Sequence, residues 1–374
     1  VNEDKASRYH RLKRQASVVS LLWSVLLLGG LAATGWSTAL RDSAEAFAGR
    51  VVPASWSASA SLLIFIALLS CLNEIVGLPL GFYSGLYVER QYELSKETLS
   101  GWLADQAKSF AIGVTLAIVA AELLYGFIRW SPDHWWLSAG LTFTLLIVGL
   151  TNLAPVLFLP IFYSVKPLDR EALRARLLAL ADRAGARVLG AYEWGLGEKT
   201  RKANAALAGL GGTRRILVSD TMLADFSDDE IEVVLAHEIA HHVHGDIWKG
   251  IAFESVMIVA GFYLASLVLR TMTAPAGLRG VDDIAGLPLL LLAAGAVSLV
   301  MVPAAHAMSR AFERKADRFA LRLTRNPGAF ISAMRRLGAQ NLAEDNPSKL
   351  AQWLFYSHPP VRDRIADARS FIVD

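Results

Sequence analysis

The sequence predicts a mainly α-helical membrane bundle of several spans, joined to a smaller α+β domain outside the bilayer. Three observations carry this. Of the 374 residues, 54% are apolar and only 19% charged, with a mean hydropathy of +0.38, too oily for an ordinary soluble chain of this size. The apolar residues gather into long runs bounded by charges, at 18–40, 61–83, 110–128, 135–158, 251–269 and 287–308. Between and after those runs lie two polar segments, 164–250 and 309–374, in which the apolar period changes from helical to alternating and back.

Each run is close to the roughly 20 residues that cross a bilayer as a helix, so six spans are expected. The first run is too long for a cleaved leader, and Arg41 and Asp42 follow it without a small-residue cleavage pattern. Because Val1 is not a start methionine, a trimmed N-terminus is expected. Lys5, Arg8, Arg11, Lys13 and Arg14 hold the N-terminal segment in the cytoplasm by the positive-inside rule, and an even span count returns both polar segments to that side. The expected organisation is therefore 1–163 with four spans, 164–250 as a first catalytic part, 251–308 as a two-span hairpin and 309–374 as a second catalytic part. A net charge of +3 is explained by topology and implies no nucleic acid. Cys71 stands alone, which rules out a disulfide framework and a cysteine metal site.

Along the chain, Asn73, Glu74, Glu122, Asn152 and Glu254 fall inside predicted spans, where a carboxylate costs about 2.5–3.5 kcal/mol unless it meets a partner or water. Singly each reads as an interhelical hydrogen bond; together they suggest a wet interior. Gly77, Pro79, Gly81 and Gly85 are expected to break the second span, leaving 87–110 as a surface helix, a lid or a solvated loop. Pro155 and Pro160 should kink the fourth span. Leu173, Leu177, Leu180 and Ala184 give an amphipathic helix over 168–185 that ends in Gly185. Residues 187–194 read as a strand, and 202–208 with 215–219 as a hairpin about Gly209, Gly211 and Gly212. The edge of such a sheet can pair with an extended peptide, and Asn204 lies on it.

The stretch VVLAHEIAHHVHG at 233–245 asks for a metal ion. His237 and His241 leave one helical face a turn apart, so both imidazoles can close on one cation, and Glu238 is then a base beside it. This is the HExxH arrangement, in which two neutral imidazoles hold Zn²⁺ and the carboxylate takes a proton from the water that the metal activates. The plain alternative is an amphipathic core helix whose His and Glu are satisfied by hydrogen bonds. Ser227 and Glu230 form a capping box that starts the helix near Asp228 and puts both histidines inside it. His242 and His244 project from other faces. A third histidine from the same helix would need Gly at 244 and His at 247, where the chain has His244 and Ile247, so the third ligand comes from elsewhere.

Residues 309–323, SRAFERKADRFALRL, offer it. Glu313 and Asp317 share a face, with Phe312, Ala316, Phe319 and Ala320 on the packing side. Glu313 would complete a His₂Glu site with a fourth position left for water, and Asp317 would accept the second N–H of a ligating imidazole. Glu254 and His306 compete for the ligand role but lie nearer the membrane, and a surface charge run paired with Arg314 and Lys315 is the plain alternative. Downstream, His358 precedes Pro359 and Pro360 and can donate to a developing oxyanion, with Arg364 adding charge; taken alone they read as a turn residue and a surface cation.

With these residues assembled, the chain resembles the type I CaaX prenyl protease family, membrane zinc endopeptidases of the gluzincin kind. The resemblance rests on HEIAHH at 237–242, the ExxxD pattern at 313–317, SHPPVRDR at 357–364, NAALAGLGGTRRILVSDTML at 204–223 and the segment 78–108. It implies a ring of helices around a water-filled chamber, one zinc per chain held by His237, His241 and Glu313, and Glu238 as general base. It also implies substrate or oxyanion contacts at Asn204, His358 and Arg364. The chain departs from the family in showing six runs against its seven spans, and in carrying Arg362 where an acidic residue is common.

The expected activity is metal-assisted peptide hydrolysis of a peptide or protein substrate, prenylated or otherwise membrane-associated, at a lipid bilayer. Two rivals stand beside it: an HtpX-like protease that clips misfolded membrane proteins, and a transporter or scaffold with a relic site. The Ala-, Leu- and Arg-rich composition points to a bacterial inner membrane, or the endoplasmic reticulum membrane if the source is eukaryotic, with the active site on the cytoplasmic side.

Overall fold

The computed structural model describes residues 4–209 and 213–371, apart from the side chains at 152 and 154–156. Gly211 and Gly212 of the expected hairpin lie outside the described residues. In chain order, α1 (Lys5–Ala33), α2 (Trp36–Val51) and α3 (Ser57–Gly81) lead through a π-helical turn, Phe82–Tyr87, into α4 (Val88–Gln91). Then come α5 (Leu99–Trp130), α6 (Trp135–Leu157) and α7 (Leu159–Phe162). The polar segment folds as β1 (Val165–Pro167), α8 (Glu171–Arg183), β2 (Ala191–Trp194), β3 (Ala205–Ala208), β4 (Arg215–Ser219), α9 (Asp220–Asp225) and α10 (Asp228–Val243). The hairpin α11 (Asp246–Met272) and α12 (Leu287–Thr324) follows, then α13 (Pro327–Gln340), α14 (Lys349–Phe355) and α15 (Val361–Arg369).

Among the described residues, five helical segments are long and apolar enough to cross a membrane: 5–33, 54–91, 99–130, 246–272 and 284–324. The shorter apolar stretch 135–151 of α6 packs against α5 and α11. The first span differs from the expected 18–40. It begins at Lys5, capped by Asp4, and ends at Ala33, because Gly35 takes φ 76°, a left-handed conformation that glycine adopts without steric cost. The chain then enters α2, which the sequence did not announce. Its 16 residues carry Arg41, Asp42, Glu45 and Arg50 and pack on α3 through Ala44 and Ala48.

The second expected span also differs at its end. Pro79 and the nearby glycines do not break it; the backbone passes into a π-helical turn and on into α4. This brings the end of α4 back to the start of α1, where the Tyr9 hydroxyl donates to Glu89 at 2.6 Å and Lys13 and Lys202 reach the same carboxylate at 3.0 and 2.9 Å. Only 92–98 of the expected polar segment is non-helical before α5. At the opposite end of the bundle, Arg41 pairs with Asp283 in the α11–α12 connection, both nearly buried, and Ser37 donates to the Ala285 carbonyl at 2.6 Å.

Between those ends lies a cavity of about 690 Å³, apolar along Leu69, Phe143 and Leu290 and polar where Asn73, Glu74 and Gln106 meet it. Two of the expected intramembrane polar residues therefore face open space, as their desolvation cost requires. Glu122 instead accepts from Ser59 at 3.3 Å, and Glu254 is exposed. The Asn152 side chain lies outside the described residues.

The polar segments share one core. Leu173, Leu177 and Leu180 of α8, Ile216 and Val218 of β4, Ile231, Leu235 and Ile239 of α10, Ala320 of α12, Phe330 of α13 and Ala368 of α15 are buried together. At about 1.5–3 kcal/mol per large side chain, this cluster welds residues on either side of the membrane hairpin into one body. The sheet has the order β1-β2-β4-β3, with β2 and β4 parallel and β3 antiparallel to β4. The strand expected over 187–194 is confined to 191–194, the hairpin is observed as β3 and β4, and β1 was not anticipated. β3 stands at the sheet edge, packed against α10.

Candidate metal centre and active site

The site starts from a well-specified helix. Ser227 caps α10, its hydroxyl accepting from the Glu230 N–H at 3.3 Å while the Glu230 carboxylate accepts from the Ser227 N–H at 2.8 Å. Ten residues of α10 are buried, so its orientation is fixed by packing on both sheet and helices. His237 and His241 leave it with ring centroids 5.0 Å apart.

Glu313 arrives from α12. It is 5% exposed, which removes the surface-charge alternative. Its Oε2 lies 3.2 Å from His237 Nε2 and its Oε1 3.3 Å from His241 Nε2. Among the described residues these three form the group able to hold a metal ion; Glu254 and His306 are not part of it. Two features test the fit. The buried Glu313 Oε2 has no hydrogen-bond partner despite its close imidazole neighbour, so the two groups point at a common space and not at each other. In addition, the spacings match the separation of about 3.3 Å between ligand atoms of a tetrahedral cation with bonds of about 2.0–2.1 Å. The donor set fits a divalent cation of borderline hardness.

Each imidazole has a carboxylate behind it. His237 Nδ1 lies 2.9 Å from Asp317 Oδ1, one helical turn beyond Glu313, and His241 Nδ1 lies 3.1 Å from Asp246 Oδ2. Asp246 was missed in the sequence. Gly245, at φ 67°, ends α10 and turns the chain so that the first residue of α11 faces back to the histidine; the signal was the Gly-Asp pair directly after the motif. Lys249 balances Asp246 at 3.1 Å.

Arg364 does not stand free as an oxyanion cation. Its Nε and Nη2 bond the two oxygens of Asp317 at 2.9 and 2.5 Å, and Nη2 is 3.3 Å from His237 Nδ1 and 4.0 Å from Glu313. The guanidinium is paired with Asp317 on the wall of the cleft, a partner that the sequence did not reveal. His358 lies beside the centre, its Nε2 3.3 Å from Glu313 Oε1 and its Nδ1 2.9 Å from the Ser357 hydroxyl.

A cleft of about 350 Å³ opens over the centre, with Glu238, His237, Asn204, His358 and Arg364 in its walls. His242 is not at the centre; its Nε2 bonds the Leu207 carbonyl of β3 at 3.0 Å. Desolvation at the cleft floor pushes the Glu238 carboxyl above its usual range against the pull of the two histidines, toward the value a general base needs. Burial disfavours a charged His237, but the Asp317 and Glu313 carboxylates outweigh it and raise the imidazole to about 9, so this pocket attracts positive charge.

Comparison with known proteins agrees over the whole chain. Residues 167–372 match the family described as "Peptidase family M48", and residues 2–164 match "CAAX prenyl protease N-terminal, five membrane helices". An uncharacterized metalloprotease of Bacillus subtilis, YhfN, is 32% identical over 308 residues, spanning 81% of this chain and 72% of its own. CAAX prenyl protease 1 of Saccharomyces cerevisiae is 27% identical, over 83% of this chain and 72% of its own. The crystal structure of S. mikatae Ste24p superimposes with a TM-score of 0.85 at 23% identity, covering 98% of this chain and 88% of that one, which shows a common fold. With a metal-binding group of HExxH geometry beside a membrane bundle, the chain belongs to peptidase family M48 and is a multi-pass membrane metalloendopeptidase similar to the CaaX prenyl proteases.

Proposed function

We propose that the chain is a zinc-dependent endopeptidase that binds one zinc per chain through His237, His241 and Glu313 and hydrolyses membrane-associated peptides on the cytoplasmic side. The observation that carries the ligand set is the buried, unpartnered Glu313 Oε2 facing two imidazoles at 3.2–3.3 Å spacing. The bound cation supplies Lewis acidity, making a water acidic and polarising the scissile carbonyl. Glu238 takes the proton of the attacking water and returns it to the departing amine. In the tautomer with Nδ1 accepting from the Ser357 hydroxyl 2.9 Å away, the His358 Nε2–H is left to hydrogen-bond the carbonyl oxygen as charge develops there. Asp317 and Asp246 hold the two imidazoles in the tautomer that presents Nε2 to the cation, and Arg364 holds Asp317. The edge of β3, with Asn204 beside it, receives the substrate backbone. The Lys- and Arg-rich start of α1, on the same end of the bundle as the centre, supports the cytoplasmic placement.

The names of the yeast and other eukaryotic relatives make an isoprenylated C-terminal peptide the first substrate class to test. The higher identity to a bacterial metalloprotease favours a second reading, clipping of misfolded membrane proteins, because it needs no prenyl group. Incubation with a farnesylated CaaX peptide and with an unfolded membrane protein separates the two. The chemistry is tested by Glu238→Gln, which is expected to keep its metal while kcat falls by about 10²–10⁴-fold. Equal turnover by the variant would refute the base assignment.

A further inference from the structure

The substrate-pairing edge of β3 is blocked on both sides of one residue. In the antiparallel ladder with β4, the Ser219 N–H donates to the Asn204 carbonyl at 2.9 Å, so Asn204, Ala206 and Ala208 bond inward. Alternation then turns the N–H and C=O of Ala203, Ala205 and Leu207 outward. Ala203 is already occupied: its N–H donates to Asn341 Oδ1 at 3.1 Å and its carbonyl accepts from Asn341 Nδ2 at 3.1 Å, so one side-chain amide imitates a paired strand. At the other end the Leu207 carbonyl accepts from His242 Nε2 at 3.0 Å, so Leu207 offers no acceptor to a substrate N–H and keeps only its own N–H outward. Among the described residues nothing bonds the outward groups of Ala205, which lies in the wall of the cleft together with His237 and Glu238.

We infer that the enzyme reads the backbone of its substrate through a single antiparallel rung, at Ala205, with Asn341 and His242 as positioning residues that close the edge on either side. This rests on the peptidase reading given above and adds to it a specificity rule. An edge of several free rungs would require consecutive alternate N–H groups in an extended substrate. A one-rung edge requires a single N–H at a fixed offset from the scissile bond. It therefore accepts proline or N-methylated residues two positions to either side, and takes segments that are extended only locally. His242 has a second effect. It ties the strand to the helix that bears His237 and His241, so the rung and the reacting centre keep one spacing.

The test is an N-methyl scan of a fluorogenic ten-residue peptide that the wild type cleaves at one bond, with the scissile amide left unmodified. Methylation at one position should lower kcat/KM about ten- to a hundredfold, because a carbonyl in the closed cleft is left unpaired. Methylation two residues before or after should change kcat/KM by less than about threefold. In His242→Ala the Leu207 carbonyl is released, and the position two residues N-terminal to the sensitive one should become sensitive as well. Comparable losses at alternate positions in the wild type, or no sensitive position at all, would overturn the single rung while leaving the peptidase reading intact. Failure to cleave the unmethylated parent and unrelated peptides would overturn that reading and this inference with it.

Discussion

Removing the carboxylate behind His237 has two consequences that can be separated. Asp317 accepts from His237 at 2.9 Å and from Arg364 at 2.9 and 2.5 Å, and both charged side chains are close to nine-tenths buried or more. Asp317→Ala leaves the guanidinium buried without its partner, a loss of about 3–5 kcal/mol of stability. It also frees the imidazole to rotate, which lowers metal affinity about 10–100-fold. Replacing both partners, as Asp317→Leu with Arg364→Leu, removes the stranded charge and should recover most of the stability while metal affinity stays low. Thermal unfolding in detergent reads the first effect, and competition with a fluorescent chelator reads the second. If the double variant regained metal affinity along with stability, or if Asp317→Ala bound metal as the wild type does, the orienting role would be wrong and the pair would be structural.

Asp246→Asn should lower metal affinity about 10–100-fold by the same route through His241, with little loss of helix content by circular dichroism. At the start of α10, the Glu230 carboxyl is opposed by burial but held below its usual range by Ser332, Ser227 and Arg336. Because the folded value is lower than the unfolded one of about 4.3, its contribution is full above that value and is lost as pH falls through it and then through the folded value. Glu230→Gln should therefore cost about 1 kcal/mol at pH 7, and the gap to the wild type should close below about pH 4, as chemical denaturation at each pH would show.

What could be read in advance was what lies within a turn or two along one helix. The capping box at Ser227 and Glu230, the pair His237 and His241, and the turn from Glu313 to Asp317 are each fixed by local spacing, and all three take the positions they announce. Where two distant segments meet, spacing is silent. Asp246 behind His241 needs a left-handed Gly245, and Asn341 against Ala203 needs α13 to pack beside the sheet. Neither residue belongs to a pattern. Arg364 was legible as a cation near the centre, but its partner was not, because the choice between Asp317 and open cleft is made by the packing of α15. The first span was misplaced at Gly35, since an apolar run does not reveal where the backbone reverses. Pro79 misled for the opposite reason: the helix continues past the proline and widens into a π-turn just after it.

The most direct measurement is metal content by mass spectrometry together with peptide cleavage, on detergent-purified wild type and on Glu313→Ala. About one zinc per chain and measurable cleavage are expected of the wild type, and the variant, with an unchanged helical signal, should lose most of both. A fully metallated, active Glu313→Ala would mean that the two imidazoles find their third ligand elsewhere, and the centre described for this chain would be wrong.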